Sequence, residues 1–458
     1  MSQAPSVTPH PPTDNAKSRT VPPGPKPKLL LGHSPWTGDD PLRTLTNWAR
    51  EYGDVVYFRR FHYHVYFLNR PDLIEQVLVT DQRNFIKGRG LQANRRLFGN
   101  GLLTSEGDYW FRQRRLMQPA FHRERIAAYG KAMVASAARM IETWRDGECR
   151  DVHEDMMRLA LEIVAKTLFS TEVEADVERV GATLSVLMKE NRSARILLPF
   201  FRMLPTPGNL RYRTAVHQLD EIIYRIIREH RARDRDTGDL LSMLLRARDE
   251  DGRRMTDTQL RDEAMTLFLA GHETTALALS WTWYLLARYP DVERKLQTEL
   301  REVLGGRAPA VDDLPRLPYT ERVIKESMRL YSPAYVIARI ALSDCDISGY
   351  HVPRGASLVM SQWVMHRDPR YWDDPERFNP DRWTPEFEAR LPRFVYFPFG
   401  GGPRVCIGAS FALMEAALLL ATIAQRFTLT LVPEHPVEPF PSITLRPKNG
   451  IKVVLSAR

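Results

Sequence analysis

Cysteine is scarce in this chain. Three residues in 458, Cys149, Cys345 and Cys406, are too few and too scattered for a disulfide framework or a zinc cluster. The fold must therefore rest on its core, and a reducing cytoplasm is the expected compartment. Long apolar runs are missing too. A bilayer-crossing helix needs roughly 20 consecutive apolar residues, and the best stretch, residues 411–424, is shorter and contains Glu415. No apolar signal segment follows Met1, so neither a membrane anchor nor secretion is expected. There is no basic low-complexity tail. The net charge of +9 is dispersed among acids, as in Arg231-Ala-Arg-Asp-Arg-Asp, which reads as a solvated surface rather than a nucleic-acid site. A basic face that steers an acidic redox partner is the sharper alternative. No segment recurs at a fixed period, which excludes a solenoid or propeller.

Proline is concentrated at the start. Positions 5, 9, 11, 12, 22, 23, 25 and 27 are proline among small and polar residues, a composition that cannot bury enough surface to order itself. Residues 1–28 are expected to be a flexible leader and 29–458 a single large domain. Short β-like runs occur early (55–58, 65–68) and late (347–352, 358–360, 427–432, 451–455), with helix-like periodicity over almost everything between. The fold class is mainly α with a small mixed β-sheet.

Three segments carry chemistry. Cys406 ends a glycine-rich loop, Phe399-Gly-Gly-Gly-Pro-Arg-Val-Cys406-Ile-Gly408, just ahead of an apolar helix. Backbone N–H groups and the positive end of that helix favour a thiolate there, which suits a metal ligand. Between Thr256 and Arg288 the pattern is one long helix, capped by Thr256 or Asp257 and ended by Tyr289-Pro290. Its middle, Ala270-Gly271-His272-Glu273-Thr274-Thr275, is weakened by glycine and β-branched residues. Gly271 admits a cofactor or diatomic ligand close to the backbone, and a threonine can bond back to a carbonyl one turn earlier. His272 reads as a packing histidine. Finally, Glu326 and Arg329 lie three apart on one helix face.

Together, Phe-x-x-Gly-x-Arg-x-Cys-x-Gly, Ala-Gly-x-Glu-Thr-Thr and Glu-x-x-Arg resemble the signatures of the cytochrome P450 superfamily. The resemblance spans nearly the whole chain and implies a prism-shaped fold and a haem-thiolate monooxygenase. Carried onto matching positions, it makes Cys406 the axial ligand of haem b, with Phe399 and Gly408 in the ligand loop and Ala270 and Gly271 on the oxygen side. Glu273 and Thr274 would manage protons. Trp110, Arg114, Arg339 and Arg404 would hold the propionates. Glu326 and Arg329 would form a buried structural cluster with Arg377, from Pro375-Glu-Arg-Phe.

No flavin or iron–sulfur domain follows Arg458, so electrons are expected from a separate ferredoxin or flavodoxin and an NAD(P)H reductase. The substrate-shaping segments of the family fall at 85–103, 197–204, Leu267-Phe268, 334–337 and 442–445. Several are strongly apolar, implying a hydrophobic substrate of fatty acyl, terpenoid, carotenoid or steroid type. Arg89 can salt-bridge a carboxylate, although a loop arginine is more often solvated. The rivals are a peroxygenase or isomerase, weakened by the retained acid–alcohol pair, and a non-enzymatic haem or ligand sensor on the same fold.

Overall fold

Thr256 starts the long helix with a reciprocal cap: its hydroxyl accepts from Gln259 N at 3.2 Å, and Gln259 Oε1 accepts from Thr256 N at 2.8 Å. The helix runs Asp257–Arg288 and ends at Tyr289, as the sequence requires. Between Leu260 and Leu286 every residue is buried except Ala270, Gly271 and Thr274. A helix covered on all sides belongs at the centre of a fold. Against it pack the Val152–Phe169, Pro207–Arg233, Pro318–Leu330 and Ala409–Ala424 helices. The computed structural model describes residues 21–26, 34–37, 40–169, 183, 186–187, 204–233 and 238–458. Most of the expected apolar segment 197–204 lies outside them.

The main sheet has five strands in the order Val55–Arg60, Tyr63–Leu68, Ser357–Met360, Ile337–Ala341, Phe85–Lys87. It is mixed, because Tyr63–Leu68 runs parallel to Ser357–Met360 while the other pairs are antiparallel. A second sheet joins Cys149–Asp151, Lys452–Ala457 and Phe427–Leu431. The Pro439–Pro441 and Leu445–Pro447 strands form a hairpin, which Trp281 fastens to the long helix by donating its indole N–H to Leu445 O at 2.9 Å. Among the described residues no helix is long and apolar enough to cross a membrane.

The proline-rich run departs from the expected flexible leader at its far end. Pro22 is buried, and the Pro23 carbonyl accepts from Tyr57 N at 2.9 Å on the edge strand. A Cβ on Gly24 would lie 1.8 Å from Tyr57 O. Proline lacks an N–H but keeps its carbonyl, so such a run can still satisfy a sheet edge. Residues 1–20 and 27–28 of the expected leader lie outside the described residues.

Glu415 is the odd residue of the apolar Ala409–Ala424 helix. It has no exposed surface, and neither oxygen has a well-formed hydrogen bond among the described residues. Burial pushes its carboxyl from 4.5 up to about 8, against a smaller downward pull from the Thr275 hydroxyl. The folded state thus binds this proton more tightly than the unfolded chain. The resulting stability is full below about pH 4.5 and is lost as pH rises through 8. Glu415→Gln should flatten the decline in melting temperature between pH 5 and 9 while changing little at pH 5. An unaltered slope in thermal melts would mean that Glu415 does not carry it.

Candidate active site

The cysteine loop is fixed by close backbone contacts. Cys406 N donates to Phe399 O at 3.0 Å, and Val405 N to Gly402 O at 3.1 Å. Gly402 has φ +65°, and a Cβ there would stand 2.0 Å from Leu78 O, so only glycine lets the loop press onto that segment. Cys406 as a residue keeps exposed surface, although its sulfur is closely surrounded by protein atoms. The surrounding protein raises its thiol above the ordinary value, while the Gly408 backbone N–H and Arg114 pull it down. The expected tilt toward thiolate is present in those two groups, but burial outweighs them; a bound metal cation would reverse the balance.

On the central helix, Thr274 Oγ1 donates to Ala270 O at 2.6 Å, the back-bond anticipated from sequence. With Gly271, these residues form the one open stripe of a helix otherwise sealed between Leu260 and Leu286. Glu273 points elsewhere. Its Oε1 accepts from Arg446 Nε at 2.6 Å and from the Thr444 hydroxyl, both carried by the Leu445 hairpin. The Glu273 side chain is 7% exposed and that of Arg446 23%, so the arginine connects a buried carboxylate to the surface. His272 donates Nε2–H to Met157 O, 2.9 Å away, and burial pushes its pKa down to about 4. It is a packing histidine.

The charged cluster assembles around Glu326 with one change of membership. Glu326 and Arg329 have no exposed side-chain surface and meet at 2.8 and 2.9 Å. The second arginine is Arg382, whose Nε reaches Glu326 Oε1 at 3.0 Å. Arg377, the expected member, is exposed and contributes only its carbonyl, which accepts from Arg329 Nη2 at 3.1 Å. The turn at 374–377 points the Arg377 side chain outward and its backbone inward, and the short Pro380–Arg382 helix returns the next arginine to the carboxylate. Trp383 Nε1 and Asn379 N complete the set at 2.9 and 3.1 Å.

A second cationic group surrounds Trp110, which is 2% exposed. Arg404 and Lys87 place their charges 5.6 and 5.5 Å from its ring centre. Arg404 donates to Glu106 Oε2 at 2.7 Å and to Phe85 O at 2.6 Å, and its buried Nε has no partner among the described residues. Arg339 is buried and donates to Ala338 O at 3.0 Å; burial pushes its pKa down to about 10. Lys87 is pushed down to about 7 by burial and donates to the carbonyls of Leu102 and Ser105. Arg114 stands apart, donating to Val405 O at 2.9 Å in the cysteine loop. The buried Lys87 and Arg339 and the half-buried Arg404 therefore gather around Glu106, with Glu263 acting more weakly on Lys87.

Residues 22–455 match the family model described as Cytochrome P450. The chain belongs to the cytochrome P450 family. It is 38% identical over 430 residues to the cyclooctatin synthase of Streptomyces melanosporofaciens, covering 93% of each chain. It is 37% identical over 431 residues to the pentalenene oxygenase of Streptomyces avermitilis, covering 94% of this chain and 96% of that one. A cyclooctat-9-en-7-ol 5-monooxygenase from S. melanosporofaciens is 39% identical over 408 residues, 88% of each. Among solved structures, the haem domain of cytochrome P450DA superposes with a TM-score of 0.87 at 29% identity, covering 95% of this chain and 97% of that one. The mainly helical, small-sheet architecture is thus the P450 fold, and the chain is an enzyme of the P450 monooxygenase class.

The residues present fit the haem that P450 enzymes bind. Stranded buried charges are costly unless neutralised, and Arg404 with its unpartnered Nε and Arg339 bonded to a carbonyl have donors to offer propionate carboxylates. The Cys406 thiol would supply the metal ligand, and the open stripe at Ala270, Gly271 and Thr274 would supply room along the helix. Sequence reading missed Lys87, Glu106, Arg382 and Arg446. For Lys87 a signal existed: in Phe85-Ile86-Lys87 it shares the inward face with Phe85, and a lysine on a buried strand face asks for a partner. The other three are recognisable only by what they touch.

Proposed function

We propose that this P450 inserts one atom of O₂ into an apolar substrate of terpenoid class, using haem b held by Cys406. The observation that carries the reading is the opened helix stripe with the Thr274 hydroxyl on it, next in sequence to a buried carboxylate anchored by Arg446. A thiolate-ligated haem supplies the reductive activation of O₂, the sulfur's electron density favouring O–O cleavage. The protein residues govern protons and position. Thr274 Oγ1 carries a mobile proton, now donated to Ala270 O, and Glu273, which Arg446 holds toward the surface, would take up a proton from solvent and replenish it. Arg339 and Arg404, with Lys87, would neutralise the propionates, Trp110 would help orient them, and Arg114 steadies the cysteine loop.

Terpenoid chemistry is supported by relatives named for pentalenene and cyclooctat-9-en-7-ol, and by the apolar Leu267-Phe268 and Val336-Ile337 pairs. Electrons would come from a separate ferredoxin or flavodoxin and its NAD(P)H reductase. A recess of about 1200 Å³ on the cysteine-loop side supports that docking, lined around the exposed Phe111 and Leu342 by arginines that outnumber the acids Asp108, Asp249, Glu250 and Asp251, with Arg115 paired to Glu250 and Arg83, Arg125 and Arg248 forming no salt bridge among the described residues. An acidic protein surface is its complement. Three free cysteines suit a cytoplasmic site of action.

The reading is tested first by the reduced, carbon monoxide-bound spectrum. The wild-type protein should show the strongly red-shifted Soret band of thiolate ligation, and Cys406→Ala should lose it. A variant that kept the wild-type band would remove the thiolate assignment and the oxygenase reading with it.

A further inference from the structure

Leu102 is held at both of its backbone groups by buried charges. Its N–H donates to Glu263 Oε2 at 2.8 Å, and its carbonyl accepts from Lys87 Nζ at 3.0 Å. Lys87 also donates to Ser105 O at 2.5 Å. Glu263 is 1% exposed and Lys87 5%. The second carboxylate oxygen, Glu263 Oε1, is buried and has no hydrogen-bond partner among the described residues.

A loop N–H or carbonyl withdrawn from water needs a partner, and another backbone group normally supplies it. A charged partner makes a shorter and stronger bond, but it must itself be taken out of water. Here two ionisable side chains are buried around one residue that does no chemistry. The contact extends along the loop: Asp262, one residue before Glu263, accepts from Asn100 N at 2.7 Å. Between Asn100 and Leu102, a Cβ on Gly101 would stand 2.3 Å from Thr266 Oγ1, so the loop rests directly on the central helix.

The same loop belongs to the apolar lining. Glu263, Leu267, Ala270 and Thr274 are spaced four, three and four apart, which places them on one face of the central helix. Glu263 precedes Ala270 by about 10 Å along the axis. Leu102 lies in the same apolar cluster as Leu267 and Phe268, and the partly buried Leu103 packs against that cluster. Lys87 stands opposite Arg339 in the strand pairing and beside the Trp110 ring, so it links the cations around Trp110 to this loop. With both backbone groups of Leu102 fixed, the peptide that leads into Leu103 has one orientation.

We infer that Glu263 and Lys87 are positioning residues of the substrate wall: acting through the Leu102 backbone, they set where Leu103 meets an apolar ligand, and so which ligands fit. The inference rests on the reading of an apolar substrate oxidised at a haem held by Cys406, and deepens it. Selectivity is fixed by two buried charges that need not touch the ligand, as well as by the apolar side chains that do.

The test uses the holoenzyme and two iron-binding probes followed by the Soret band: imidazole, which needs only the iron, and 1-dodecylimidazole, which also needs the apolar wall. Glu263→Leu removes the acceptor and its charge together, a change that buried sites tolerate. It should weaken 1-dodecylimidazole about 10-fold relative to imidazole, as loss of one charge-assisted bond predicts, and speed amide hydrogen exchange in segment 99–105 by about the same factor. Glu263→Gln keeps an acceptor for the Leu102 N–H and should recover most of both. In a Leu103→Ala background, Glu263→Leu should leave the ratio of the two affinities unchanged, because its effect passes through that side chain. Effects that multiply in the double variant would overturn the inference. So would an unchanged ratio in Glu263→Leu, or equal weakening of both probes. Glu263→Gln no better than Glu263→Leu would assign the effect to lost charge rather than to the hold on Leu102, and overturns it too. A wild-type protein whose Soret band moves with neither probe would fell the haem reading itself, whereas one that binds both probes and fails the variant tests loses this inference alone.

Discussion

Glu326→Gln should yield little folded protein and almost no retained haem. The carboxylate receives Arg329 through two bonds, Arg382 through one, and the N–H groups of Trp383 and Asn379. An amide of the same shape can accept fewer of these donors, and it leaves a guanidinium with no exposed surface without a counter-charge. Breaking a buried pair by removing one partner costs about 3–5 kcal/mol, a large share of the roughly 5–15 kcal/mol by which a domain is stable. Arg382→Ala should be damaging for the same reason, because its side chain is 7% exposed and contacts Glu326 directly. Arg377→Ala should sit within about 0.5 kcal/mol of wild type, since exposed substitutions away from buried networks rarely do more and its carbonyl remains in place. Denaturant melts and haem content of the three variants check the assignment. Arg377→Ala as destabilised as Arg382→Ala would contradict it.

Glu273→Gln should leave the carbon monoxide spectrum and substrate binding intact while lowering product formation about 100-fold or more, the span general acid–base groups usually command. The amide can still accept from Arg446, so the hairpin stays docked, but it cannot take up and release a proton. Arg446→Leu acts one step further out. It removes the charge that holds Glu273 Oε1 and the link to the surface, so turnover should fall with a larger solvent isotope effect and an unchanged substrate Kd. Thr274→Ala should divert reducing equivalents to hydrogen peroxide. These are read by comparing NADPH consumed, product formed and peroxide released with a surrogate redox pair. Tightly coupled wild-type turnover in either Glu273→Gln or Thr274→Ala would remove the proton role from this pair.

The contrast between these two sites explains what the sequence discloses. Cys406 with its glycines, and Ala270 to Thr274 with their helix fault, are written in consecutive residues, so their chemistry is legible before any fold is known. The Glu326–Arg329 pair is likewise local. Arg382, Arg446 and Glu106 act across long separations in the chain, and each looks like an ordinary surface charge until the backbone brings it inward. Arg377 shows the opposite failure: it sits beside the right turn, yet the turn presents its carbonyl and sends the guanidinium into solvent. The strand Ile337–Ala341 went unread because Arg339 interrupts its apolar pattern, and that interruption is the buried cation itself. Cys149–Asp151 is three residues long and polar, and only pairing with Lys452–Ala457 makes it a strand. The proline run is held at 22–24 despite its composition, which describes an isolated chain, because the edge strand gives the Pro23 carbonyl a donor.

The central helix also acts mechanically. Arg261, near its start, is bonded to Asp220 on the Pro207–Arg233 helix and to Asp262, which accepts Asn100 N at 2.7 Å. Thirteen residues farther on stands Thr274, about 20 Å away at 1.5 Å of rise per residue. A rod of that length pivoting by roughly 3° swings its far end by about 1 Å, enough misplacement at a reacting centre to cost on the order of 100-fold in rate. If Thr274 delivers protons as proposed, its accuracy would be set in part by an ionic joint remote from any chemistry, and a substitution at Arg261 would detune the enzyme as a bent axle detunes a wheel.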